Sequence, residues 1–182
     1  MKTRLLLVTV GTTALVASMA AASDLSTTAR IPDDAQPMAQ KAADEFQSKH
    51  FDAAAAAYQA ILQAHPDCLY AWSNLGVTRF QEGHFEEARK AFVQAVRLNP
   101  KDGFALCDLG ILYYQQDRFH DAIDALQKAI ALGSNDANAH SFLGNAYEKA
   151  GMHQEAKLEF QKASDLEAKE KAGEALPPPK QD

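Results

Sequence analysis

Residues 34 positions apart match along most of this chain, and that period constrains its fold more than any other feature. Leu75, Leu109 and Leu143 keep the interval, and each is followed by glycine: Gly76, Gly110, Gly144. Ala54, Ala88, Ala122 and Ala156 keep it too, as do Tyr58, Phe92, Leu126 and Phe160, and then Ile61, Ala95, Ala129 and Ala163. Phe51, Phe85 and Phe119 share a further column that His153 completes, and Pro66 and Pro100 close the first two units. Self-similarity at one period of about 20 to 50 residues marks a stack of identical units rather than one closed core.

The units run 35–68, 69–102, 103–136 and 137–170. Within each, apolar residues recur at helical spacing: Trp72, Leu75 and Arg79 lie on one face of a first helix, and Ala88, Phe92 and Ala95 on a second. The polar run Gln81-Glu82-Gly83-His84 separates them. Small residues at Gly76 and Ala88 let the two helices approach, with Phe92 filling the space above. Trp72, Leu75, Gly76, Ala88, Phe92, Ala95 and Pro100 together resemble the tetratricopeptide repeat, and the likeness covers about three quarters of the chain. It implies an all-α fold, a right-handed α-solenoid of four helix-turn-helix units, in which each hairpin leaves an apolar face for its neighbour.

The ends of the array read as caps. The column that faces the next unit is Leu62, Val96 and Ile130 and then Ser164, while Ile123 gives way to Lys157 in another column; Lys41 replaces the first-helix leucine in unit one. The array is therefore expected to be complete. Gly133-Ser134-Asn135-Asp136 replaces proline as the third break. The last helix is expected to run on to a C-cap at Gly173, with residues 171–182 forming the helix end and a disordered tail containing Pro177-Pro178-Pro179. Residues 23–34 read as a flexible linker.

Residues 1–22 begin with Lys2 and Arg4, pass through an apolar stretch over 5–16 and end in small residues, the layout of a secretory signal peptide. Ala20 and Ala22 suit cleavage before Ser23; Ser18 and Ala20 suit cleavage before Ala21. The rival reading is an uncleaved membrane anchor over 5–22. Either places the body outside the cytoplasm, periplasmic or secreted, with no membrane contact once the leader is removed. That compartment raises the question of a disulfide. The repeat register puts Cys68 just before one helix and Cys107 well inside the next equivalent helix, too far apart to bridge, so two unpaired thiols are expected.

The net charge of −6 argues against nucleic acid, which needs a basic face. The sequence carries no phosphate loop, nucleophile elbow, paired-cysteine motif or HExxH, so neither enzymatic activity nor a cofactor is expected. Of the six histidines, His50 and His84 share the turn column but sit about one hairpin spacing of 10 Å apart, too far for one metal. His140 and His153 stand in the columns of Trp72 and Phe85 and are expected to pack; His65 and His120 are isolated.

The first helix of each unit is expected to line a concave inner surface. Its helical face presents Gln36, Ala39, Ala43, Phe46 and Gln47 in unit one, and Tyr70, Ser73, Val77, Phe80 and Gln81 in unit two. Units three and four add Phe104, Cys107, Ile111, Tyr114 and Gln115, then Asn138, Ser141, Asn145, Glu148 and Lys149. This wall reads as aromatic and neutral in its middle. Some relatives grip a partner's C-terminal carboxylate with cations here, but Ala39 and Cys107 occupy the columns where lysine is expected, so that clamp is rejected. The expected partner-binding surface comprises Tyr70, Ser73, Asn74, Phe80, Gln81, Phe104, Asp108, Tyr114, Gln115, Ser141, Asn145 and Lys149. The aromatics serve as anchors and Asn74 and Asn145 as backbone amide clamps. The alternative for Phe80 and Tyr114 is that they cover the hairpin interior.

The expected function is a non-enzymatic protein–protein interaction scaffold for envelope assembly or secretion, a monomer whose inner wall holds a segment of a protein partner. The rivals are a self-associating unit using Leu158 and Leu166, and an accessory subunit of an envelope enzyme complex.

Overall fold

The computed structural model describes residues 31–173. The expected leader over 1–22, most of the linker over 23–34 and the tail from 174 onward lie outside the described residues. Eight α-helices follow in order: α1 (Gln36–Gln47), α2 (Phe51–Ala64), α3 (Leu69–Gln81), α4 (Phe85–Leu98), α5 (Gly103–Gln115), α6 (Phe119–Ala131), α7 (Ala137–Lys149) and α8 (His153–Lys171). There is no strand among the described residues. Each helix packs on its sequence neighbours, giving four antiparallel hairpins in a row, a right-handed α-solenoid.

The glycine column fixes how closely each hairpin closes. A Cβ at Gly76 would stand 2.5 Å from two ring carbons of Phe92, at Gly110 2.7 Å from Leu126 Cγ, and at Gly144 2.7 Å from Phe160 Cε1. Phe92 and Leu126 are fully buried above their glycines, with Ala88, Ala95, Ala122 and Ala129 sealed around them. Phe160 departs from its column: it covers Gly144 yet stays 39% exposed, because no described helix packs on the outer side of α8.

Every hairpin turn is the same Schellman closure. In the second, the Gly83 amide donates to Phe80 O at 3.0 Å and the His84 amide to Arg79 O at 2.8 Å, and the other three turns repeat both bonds. The closure needs one left-handed residue, which is Lys49 (φ 63°), Gly83 (79°), Asp117 (58°) and Gly151 (79°) in turn. The polar run at 81–84 revealed one turn; the shared backbone requirement was hidden because only two of the four residues are glycine. Gly133 (φ 103°) ends α6 by the same motif, where proline ends α2 and α4 in the earlier breaks, and Gly173 (φ 74°) follows α8 as expected. Asp102 and Asp136 cap α5 and α7, accepting backbone amides at 3.0 and 2.8 Å.

Candidate functional site

The first helices of successive hairpins touch one another, α3 with α5 and α5 with α7, so they form the tighter, inner wall of the superhelix. The expected site residues lie on this wall, but most have work inside it. Tyr70 is half-buried, its ring 6.1 Å from that of the fully buried Tyr58. Tyr70 thus joins the first hairpin to the second, and burial pushes both phenols up.

Phe80 and Tyr114 are turn staples. Their rings lie 5.6 Å from Phe85 and 5.8 Å from Phe119, as Phe46 lies 5.4 Å from Phe51, and Tyr114 also meets Phe142 at 6.2 Å. The fourth hairpin replaces this ring pair by a polar one, Glu148 Oε2 with His153 Nδ1 at 3.0 Å. His153 is accordingly exposed rather than packed, because the facing position on α7 holds Glu148 in place of a ring. In the neighbouring turn column Arg118 stacks on the Tyr113 ring at 4.4 Å.

Asn74 Nδ2 donates to Tyr70 O within its own helix at 2.8 Å, which leaves its carbonyl for a partner. Asn145 and Ser141 are half-buried on α7, Ser73 on α3. Gln81, Gln115 and Lys149 are exposed at the turn end of the wall. Val77 and Cys107, though on the expected face, are buried by the adjacent hairpins. Cys68 and Cys107 are both free, and burial pushes each thiol up, which keeps it unreactive.

Two residues stand apart. Phe104, in the first turn of α5, is 60% exposed, the most open aromatic ring among the described residues. Asp108, one helical turn further on, is half-buried and makes no hydrogen bond or ion pair among the described residues. Burial, and then the Asp102 carboxylate, push its carboxyl up to about 7. The middle of the wall thus holds this half-buried carboxyl.

His140 is packed as expected, though through polar contacts. It occupies the Trp72 column but is 4% exposed and polar in use, with Nδ1 2.5 Å from Glu159 Oε2 and Nε2 2.6 Å from Asn135 Oδ1. Trp72 instead donates from Nε1 to Pro66 O at 2.8 Å. Burial acts to raise the Glu159 carboxyl, but Lys162 at 2.8 Å and His140 hold it below the usual range. The pair borders a cleft of about 230 Å3 lined also by Gln127, Ile130 and Leu143. His50 and His84 border a shallow depression of about 590 Å3 along the turns, with Lys49, Asp52 and Glu82. Among the described residues no group of three or more His, Cys, Asp or Glu is placed to hold a metal ion.

Three solved structures share this fold at low identity. One is described as a crystal structure of MamA, with a TM-score of 0.71 and 23% identity over 78% of this chain and 82% of that one. The second is a MamA RS-1 double mutant, with a TM-score of 0.70 and 22% identity, covering 76% and 78% of the two chains. The third is MamA from residue 41 to its end, from Desulfovibrio magneticus RS-1, with a TM-score of 0.68 and 22% identity, covering 74% and 76%. No curated protein matches the chain. The family model described as the cilia and flagella-associated protein 70 C-terminal domain matches residues 13–176. With its column glycines under Phe92, Leu126 and Phe160, and a family match across nearly its whole length, the chain belongs to that tetratricopeptide-repeat family.

Proposed function

We propose that the chain is an exported, non-enzymatic scaffold whose inner wall holds a segment of a partner protein during envelope assembly or secretion. The observation that carries this reading is Phe104, an aromatic ring left 60% exposed on a wall whose other aromatics are packed away. An aromatic open to water at the centre of a recognition surface is the usual form of an anchor. A photo-crosslinking residue at position 104 is expected to trap one protein partner in cells, while the same residue at Val93 on the outer helix α4 traps none. Equal trapping at both positions overturns the reading.

A second reading is favoured by α8, where Leu158 is 63% exposed, with Leu166 half-buried further along the same helix. Self-association through this face predicts a dimer in light scattering that Leu158→Glu dissolves; a monomer at high micromolar concentration excludes it.

A further inference from the structure

The middle of the inner wall, α3 and α5, carries little charge. Asp108 is the only charged residue in α5, and Arg79 the only one in α3. Arg79 is occupied, at 2.8 Å from Glu82 and 3.0 Å from Glu87. The neighbouring stretches of the wall contribute the uncharged Ser73 and Asn74 from α3 and Ser141 and Asn145 from α7. The charge acting on Asp108 is another carboxylate, Asp102 at the N-cap of α5, and Asp136 at the N-cap of α7 acts on the adjacent Cys107. Among the described residues no ion pair is made by Asp102, Asp108 or Asp136, and Asp102 already spends one oxygen on the Phe104 and Ala105 amides.

Phe104 and Asp108 are four residues apart, so they stand on one face of α5, a turn from each other. We propose that the pair is a two-point contact for a partner segment carrying lysine or arginine beside an apolar side chain, the cation on Asp108 and the apolar group on Phe104. This rests on the inner wall being the partner surface, and it adds the partner's chemistry. A carboxylate partly withdrawn from water and lacking a cation is incompletely compensated, and an incoming ammonium or guanidinium supplies what is missing. Burial lifts the carboxyl into the neutral range, so the cation must also help to ionise it, and binding strengthens as pH rises through about 7.

The test uses the purified full chain and two capped, fluorescein-labelled dodecapeptides of one leucine-containing scaffold, one with arginine at every fourth position and one with glutamine there. By anisotropy at pH 8, the arginine peptide is expected to bind at least about tenfold tighter than the glutamine peptide. Asp108→Asn is expected to abolish that preference, and Phe104→Ala to weaken both peptides, with helical circular dichroism unchanged. The arginine preference is expected to shrink at pH 6. Equal binding of both peptides, binding of neither, or a preference that survives Asp108→Asn overturns the proposal. If both peptides bind equally and Phe104→Ala releases both, the cation contact alone fails and the partner surface stands.

Discussion

Replacing Asp108 by asparagine is expected to stabilise the protein, and increasingly so as pH rises. In the unfolded chain this carboxyl titrates near its ordinary value of 3.8, and in the fold it is pushed up to about 7. Below the lower value both states hold the proton and burial of the group carries no ionisation penalty. Between the two values the unfolded state loses its proton while the folded state keeps it, so wild-type stability falls with pH; above the folded value the loss is complete. A gap of about three pH units corresponds to about 4 kcal/mol at full effect. Asp108 retains some exposure, so solvent relaxation reduces this to about 2 kcal/mol. Asparagine has nearly the same shape and no charge. For a chain of this size the gain is about 4–8 °C in Tm at pH 8, and near zero at pH 3.5. Thermal unfolding followed by circular dichroism at both pH values measures it. A variant that is no more stable than wild type at pH 8, or whose gain is the same at both pH values, refutes the argument that burial opposes ionisation here.

Gly76→Ala places a methyl 2.5 Å from the Phe92 ring, which is 2% exposed and has nowhere to turn, so it is expected to destabilise by about 1–2 kcal/mol in urea unfolding despite its better helix propensity. Lys49→Gly removes a left-handed non-glycine residue at φ 63° and is expected to gain about 0.5–1 kcal/mol, whereas Gly83→Ala in the equivalent place loses as much. His140→Ala takes one hydrogen-bond partner from buried Glu159, which keeps Lys162, and is expected to cost about 1–2 kcal/mol at pH 7. Because the Glu159 carboxyl is held below the usual range, its contribution is present above the ordinary value of 4.5 and is lost as pH falls through the folded one, so the cost of His140→Ala shrinks in acid. N-terminal sequencing of the protein recovered from cells is expected to begin at Ser23 or Ala21, outside the cytoplasm.

What the sequence made legible follows from what the period measures. A column of glycines opposite a column of Phe92-like residues reports a backbone approach that recurs in every unit, so hairpin packing could be read from residue types alone. Residue type marks the turns only at Gly83 and Gly151, because Lys49 and Asp117 meet the same left-handed requirement with residue types that do not advertise it. The use of each wall aromatic was not legible. Helical spacing places Tyr70, Phe80 and Tyr114 on the inner face, but their partners Tyr58, Phe85 and Phe119 are set by distances across a hairpin or between hairpins. His140 was read as a packing residue since its column holds tryptophan; that Glu159 stands opposite it 19 positions later is a tertiary fact.

The substitution in the fourth hairpin shows what those aromatics do. In three hairpins the pair that bridges the turn is two rings, and in the fourth Glu148 and His153 span the same two columns at 3.0 Å. An exposed polar pair of this kind contributes about 0–1 kcal/mol, comparable to the geometric bonus of a ring pair though without its buried area. If the rings were there to grip a partner, a hydrogen-bonded polar pair would be no substitute; as a staple between two helices it serves. The aromatic density of the wall is thus mainly a property of hairpin closure, and the same accounting that removes Tyr114 and Phe80 from the list of anchors leaves Phe104 without a partner. Tyr114→Leu is therefore expected to lower Tm by several degrees while leaving partner crosslinking from position 104 intact. Loss of crosslinking at unchanged Tm would return Tyr114 to the binding surface.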